Sequence, residues 1–138
     1  PTHPDLLGFG NAWFEAAYRE ANRTTLPSGR TLRHVTAPYF LATKLLAFDS
    51  RGEGDFMSSH DIEDLVSVLD GRPTLPAEVA GADPALRHFL AARFSMLLAS
   101  EAFLEAIPGH LNPDDASQGR MPTVLERISA IAQAKPAA

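Results

Sequence analysis

Residues 37–69 read APYFLATKLLAFDSRGEGDFMSSHDIEDLVSVL. A lysine, Lys44, interrupts an otherwise apolar helical stripe. A glycine-containing loop follows, then a capped helix start with two aspartates three apart, Asp61 and Asp64. At about 100° per residue, Phe40, Lys44 and Phe48 form one row, with Leu41 and Leu45 beside it. A charged group on such a stripe is costly unless it has a partner or a task. On the following helix the apolar face is Ile62, Leu65, Val66 and Leu69, with Val68 at its margin. Asp61 flanks that face, and Asp64 is its i+3 neighbour. If the two helices are antiparallel neighbours, the Lys44 ammonium is expected within reach of Asp61 or Asp64. That arrangement suits two roles, a site for nucleotide phosphates or a structural ion pair, and the pattern leaves both open.

The other polar residues of this stretch each have an ordinary explanation. Asp61 lies in a first helical turn, where a carboxylate meets the positive end of the dipole. Glu63 points away, about 160° around the helix from Asp61 at about 100° per residue, so an acidic metal pair in Asp61-Ile62-Glu63 is rejected. Arg51 and Asp55 flank the loop glycines as phosphate contacts or solvated charges. Ser58 and Ser59 read as caps, not nucleophiles. His60 reads as an exposed residue at a helix start.

Working outward, the pattern predicts a mainly α single domain with one small β-hairpin. Asn11 is a candidate cap for a helix over 12–21, with Trp13, Phe14, Ala17 and Ala21 at helical spacing. Pro27-Ser28-Gly29 sits between β-branched flanks, which predicts a hairpin over about 24–35. Helices are expected over 38–50, from the Ser58-x-x-Asp61 capping-box variant over 60–70, and over 84–107 and 122–132. A short helix near 75–80 is also expected. Gly71 reads as a C′ residue closing the third helix. Asp83-Pro84 and Asn112-Pro113 are cap-plus-proline starts, and Pro108-Gly109 is a stop.

The chain has 138 residues, enough for one domain with a real core. Its formal net charge of -5 and lack of a basic tract argue against bulk electrostatic binding of nucleic acid. With no cysteine, disulfides and thiolate metal sites are excluded. The five histidines show no ligand spacing, so no metal site is expected. No apolar run approaches the roughly 18–20 residues of a membrane span, and no signal peptide is seen. A cytoplasmic location is the expectation. Because the chain begins at Pro1 rather than Met, further sequence before it is expected.

The block from Leu41 to Leu69 resembles part of the AbiEii-like nucleotidyltransferases, toxin-type members of the polymerase-β-like superfamily. The resemblance rests on Lys44 in Ala42-Thr43-Lys44-Leu45-Leu46-Ala47-Phe48, on Arg51, and on His60-Asp61-Ile62-Glu63-Asp64-Leu65. His60 stands where that family has arginine. Thr31 to Lys44 resembles the strand-to-helix approach to the lysine. Leu7 to Trp13 and Pro108 to Leu111 are also similar to pieces of this group.

The resemblance implies the C-terminal, mainly helical part of an α/β nucleotidyltransferase fold. Such enzymes transfer a nucleotidyl group from an NTP to RNA or protein with divalent metal. Lys44 would contact the triphosphate, Asp61 would orient that lysine or assist the acceptor, Asp64 would support Asp61, and Arg51 is a further phosphate candidate. The acidic Asp-x-Asp metal module of these enzymes is not in this sequence. Mg2+ and NTP are thus expected in a complete enzyme, with none expected to be held by this chain alone, which should be inactive by itself and at best bind a nucleotide weakly. The partners implied are an N-terminal catalytic domain, a second copy forming a homodimer, or an antitoxin, with nucleic acid only as acceptor and no membrane. The alternative is a non-enzymatic helical interaction module, antitoxin-like or a degenerate relative, with Lys44–Asp61 as a structural ion pair.

Overall fold

A computed structural model describes residues 22–25, 28 and 31–134. The described chain is mainly helical. The helix expected over 12–21 and the apolar residues before it lie outside the described residues. Asn22–Thr25 (β1) and Thr31–His34 (β2) run antiparallel, with Asn22 opposite His34 and Thr25 opposite Thr31. Most of the turn between them also lies outside the described residues.

The helices follow as α1 (Ala37–Arg51), α2 (His60–Gly71), α3 (Leu75–Ala80) and α4 (Pro84–Leu98). Next come α5 (Glu101–Ala106), a 3-10 turn (Ile107–His110), α6 (Asp115–Gln118) and α7 (Met121–Ala132). Helix α1 packs against α2, α3 and α4, and α7 closes the other side against α4, α3 and α2. One apolar core joins them, centred on Leu41 and Leu45 of α1, Leu65 and Leu69 of α2, Leu90 and Phe94 of α4, and Ile128 of α7. These are the residues that helical spacing places on the inner faces.

Several boundaries differ from the sequence expectations, each for a local reason. The helix expected over 84–107 is two helices. Ser100 is in an extended conformation and its hydroxyl accepts a hydrogen bond from Phe103 N at 3.2 Å, so it caps α5 instead of continuing α4. The cap of α2 is Ser59, which accepts from Ile62 N at 3.1 Å, one residue later than the Ser58 box. Ser58 instead donates its backbone N–H to Asp55 Oδ1. Gly71 is the last residue of α2, not a left-handed C′ residue, and Arg72 caps the helix. Asp114, not Asn112, caps α6, accepting from Ser117 N at 2.8 Å.

Arginines hold the far end of α2. Arg127 Nη1 donates to the carbonyls of Leu69 and Asp70, both at 2.7 Å, satisfying groups that a helix C-terminus leaves open. Arg120 grips the Asp70 carboxylate with two hydrogen bonds at 2.7 and 2.9 Å. At the near end, α1 stops at Gly52, whose N–H donates to Phe48 O. A Cβ at Gly52 would lie 2.3 Å from the Phe48 ring, so only glycine lets the chain leave the helix here. Glu53 (φ 51) and Gly54 (φ 75) then turn in the left-handed region.

The loop that follows is anchored by aromatic contact. Phe56 stacks on Phe48 with ring centroids 4.9 Å apart and meets Phe103 edge-on at 5.6 Å. His110 Nε2 donates to Phe56 O at 2.6 Å. These contacts fix where α2 begins relative to the end of α1, and so fix the spacing of Arg51 and Asp61. We expect Gly52→Ala to displace Phe48 and destabilise the domain by about 1–3 kcal/mol, the usual cost of overpacking. Chemical denaturation would read this, and an unchanged midpoint would show that the Phe48–Gly52 contact constrains nothing.

Candidate functional site

The last turn of α1 and the first turn of α2 face one another across an eight-residue loop, residues 52–59. This juxtaposition brings four charged side chains together. Arg51 holds Asp61 with two bonds, Nε to Oδ2 at 2.9 Å and Nη2 to Oδ1 at 2.8 Å. Two turns back on α1, Lys44 Nζ lies 2.7 Å from Asp64 Oδ2 and 3.5 Å from Asp61 Oδ1. The Phe40 ring supports the same ammonium from below, with its centroid 5.4 Å away.

Burial is graded across the cluster. Asp61 is 4% exposed and is one of the two buried polar side chains among the described residues. The Lys44 side chain is 23% exposed, Asp64 45% and Arg51 70%. The buried carboxylate is therefore the hub, and both cations reach inward to it while keeping part of their surface in solvent. An ionised carboxylate at such a position needs paired donors, and it has them.

The electrostatics follow. The Arg51 hydrogen bonds hold the Asp61 carboxyl below the usual carboxylate range, outweighing the upward push of burial, with Lys44 adding to the effect. The hydrogen bond to Asp64 raises Lys44 above its ordinary value, against the opposing effect of desolvation. Lys44 and Asp61 thus carry their charges throughout the neutral range.

Each expected site residue can now be placed. Lys44, Asp61 and Asp64 meet across the helix pair. Arg51, singled out as a phosphate candidate, is the strongest partner of Asp61. Glu63 is exposed and meets His60 Nδ1 at 3.2 Å, so His60 turns to Glu63 rather than to Asp61. Asp55 accepts the backbone N–H groups of Met57 and Ser58, both at 3.1 Å, and so shapes the loop. A cavity of about 260 Å3 opens beside the cluster, lined by Arg51, Gly52, Glu53, Asp55, Ser58, Ser59 and Asp61. Among the described residues, no group of three His, Cys, Asp or Glu side chains is placed to hold a metal ion. No helix of the described residues is long and apolar enough to cross a membrane.

Compared with known proteins, the chain matches no family model, no curated protein and no solved structure.

The Arg51–Asp61 pair is the feature that sequence reading left out. Its signal is present in hindsight. A basic residue in the last turn of one helix and an acid in the first turn of the next are neighbours whenever the connection folds back. Both also complement the helix dipoles at those ends.

Two measurements follow from this geometry. Removing Asp61 leaves two cations that can relax toward solvent, which favours the low end of the cost for a charged hydrogen bond. Asp61→Asn is expected to cost about 2 kcal/mol, and Asp64→Asn, a half-exposed pair, less than about 1 kcal/mol. Equal costs in urea denaturation would show that Asp61 is not the hub. Acid stability is the second. Asp61, Asp70 (held by Arg120) and Glu78 (held by Arg72) all have lowered folded-state values. Groups shifted downward contribute fully above their unfolded values, near about 4, and lose that contribution as pH falls through the lower folded values. Stability should therefore be flat from neutrality to about pH 5 and fall below it, and Asp61→Asn should flatten that acid limb. An acid limb identical in the variant would contradict the assignment.

Proposed function

We propose that this chain is the helical part of a nucleotidyltransferase-like protein, AbiEii-like in character, and that the Lys44 cluster meets the phosphates of a nucleotide. The observation that carries this reading is the graded burial of the four charges. Asp61, almost wholly buried, fixes the direction of two cations whose outer surfaces stay accessible. Pre-oriented donors of this kind suit a polyphosphate, because their positioning cost is met during folding rather than on binding. Arginine adds a planar fork with five N–H groups, only two of which are used on Asp61.

The roles divide accordingly. Lys44 contacts the triphosphate and Arg51 offers a second contact. Asp61 orients both, and Asp64 keeps Lys44 from swinging away. Asp61 would also serve an acceptor group if the phosphates draw Lys44 outward. Divalent metal, which in such enzymes neutralises charge on the transferred group, does not fit the described residues, so its ligands belong to another segment or chain. The β1–β2 ribbon belongs to this reading as the hairpin leading into α1. A cytoplasmic setting and an antitoxin or second copy as partner are part of the same proposal.

A second reading is favoured by one specific observation. The cluster is charge-neutral, two cations against two carboxylates, with every member paired. A helical interaction module would use the same network simply to join α1 to α2.

A thermal-shift series with the magnesium complexes of ATP, GTP, CTP and UTP separates the two. A ligand at about one hundred times its dissociation constant stabilises by about 2.7 kcal/mol, on the order of 10 °C for a domain of this size. We expect at least one nucleotide to raise Tm and Lys44→Ala to abolish the rise. If no nucleotide moves Tm and Lys44→Ala merely lowers it, the interaction module is the correct reading.

A further inference from the structure

Beside Lys44, the two ends of α1 and α2 that lie away from the loop enclose a groove of about 630 Å3. Phe40, Val35 and Val68 form its apolar walls, and Thr36, Ser67 and Arg72 stand among its polar groups. We propose that this groove receives the nucleobase and ribose of the nucleotide whose phosphates meet Lys44. The inference rests on the nucleotide reading above and extends it to the half of the ligand that Lys44 does not touch.

Three observations carry it. The first is continuity. Phe40 belongs to both places, walling the groove and lying under the Lys44 ammonium. A ligand seated on Phe40 is therefore one helical turn from the cation. Second, the groove has the size and lining of a small-molecule site, since such pockets run about 300–1,000 Å3 with apolar walls and a few polar groups. An inorganic phosphate alone would leave most of that space empty.

The third is charge. Arg72 is paired with Glu78 through two bonds of 2.7 Å, and Thr74 donates to the same carboxylate at 3.0 Å. Among the described residues lining the groove Arg72 is the one cation, against two, Lys44 and Arg51, at the cluster, so the triphosphate is assigned to the cluster. The same pairing leaves Glu78 poorly placed to read a base edge. The hydroxyls of Thr36 and Ser67 can donate or accept, and stacking on an aromatic face tolerates every base. Weak discrimination among the four bases follows, with affinities within about tenfold of one another.

The test compares ATP with inorganic tripolyphosphate by calorimetric titration, both with magnesium. On the unaltered chain, ATP should bind at least about tenfold more tightly than tripolyphosphate. Ser67→Trp places an indole at the exposed rim without touching the core. It should reduce ATP to the affinity of tripolyphosphate while leaving tripolyphosphate binding unchanged. Val68→Trp, which narrows the groove from within, should do the same. Equal affinity of the two ligands for the unaltered chain would overturn the groove assignment while leaving Lys44 as a phosphate site. So would an unchanged ATP affinity in a folded Ser67→Trp variant. Failure of both ligands to bind would remove the nucleotide reading itself, and the groove assignment with it.

Discussion

A single carboxylate, Asp61, sits at the seam of the two helices that organise this domain, and its ionised state dictates the arrangement around it. An acid 4% exposed is tolerable only with donors directed at it. Arg51 supplies two and Lys44 approaches from two turns away on the same helix. Those donors come from α1, while the acid comes from α2, so the pair of helices cannot slide or rotate without stranding the charge. The apolar faces alone would allow such slippage, because packing of aliphatic side chains is forgiving of small shifts. The charged hub thus adds specificity to a contact whose strength comes mainly from the core.

The loop between the helices is built to serve that contact. Gly52 lets the chain turn against Phe48, Asp55 collects the loop N–H groups, and Phe56 is clamped between Phe48, Phe103 and the His110 imidazole. Each of these holds Ser59 where it caps α2, and the cap in turn puts Asp61 in the first helical turn. At the opposite end, Arg120 and Arg127 fasten α2 to α7. Helix α2 is therefore pinned at both ends, which makes it a rigid platform whose Asp61 and Asp64 hold Lys44 and Arg51 of α1 in place.

Much of this architecture was legible in the chain itself. Inward-facing residues such as Ile62, Leu65, Leu69, Leu90, Phe94 and Ile128 follow from a 3.6-residue period, and the meeting of Lys44 with Asp61 and Asp64 follows from two such helices joined by a short connection. The break between α4 and α5 was not legible, because apolar residues continue through Phe103 and Leu104 and conceal a capping serine at Ser100. Gly71 was misleading for the converse reason. A glycine after a helical stretch suggests a left-handed stop, yet here the stop is made by Arg127 donating to the final carbonyls. The Arg51–Asp61 fork was missed since it spans a loop whose path depends on Phe48 and Phe56, and no local pattern encodes that path. Chemistry is less legible than fold. The same four charges serve a nucleotide or a helix seam equally well on paper, and the nucleotide proposal rests on their graded exposure.

The protonation behaviour of Asp61 tests the central claim most directly. Carboxyl 13C shifts of the selectively labelled protein, followed by NMR through an acid titration, report it without recourse to unfolding. We expect the Asp61 carboxyl to remain ionised below the ordinary carboxylate value of about 3.9, and to move upward when Arg51 is replaced by Met. An Asp61 that takes up its proton at or above the ordinary value, or that ignores the loss of Arg51, would contradict the claim that this buried acid is the charged hub of the site.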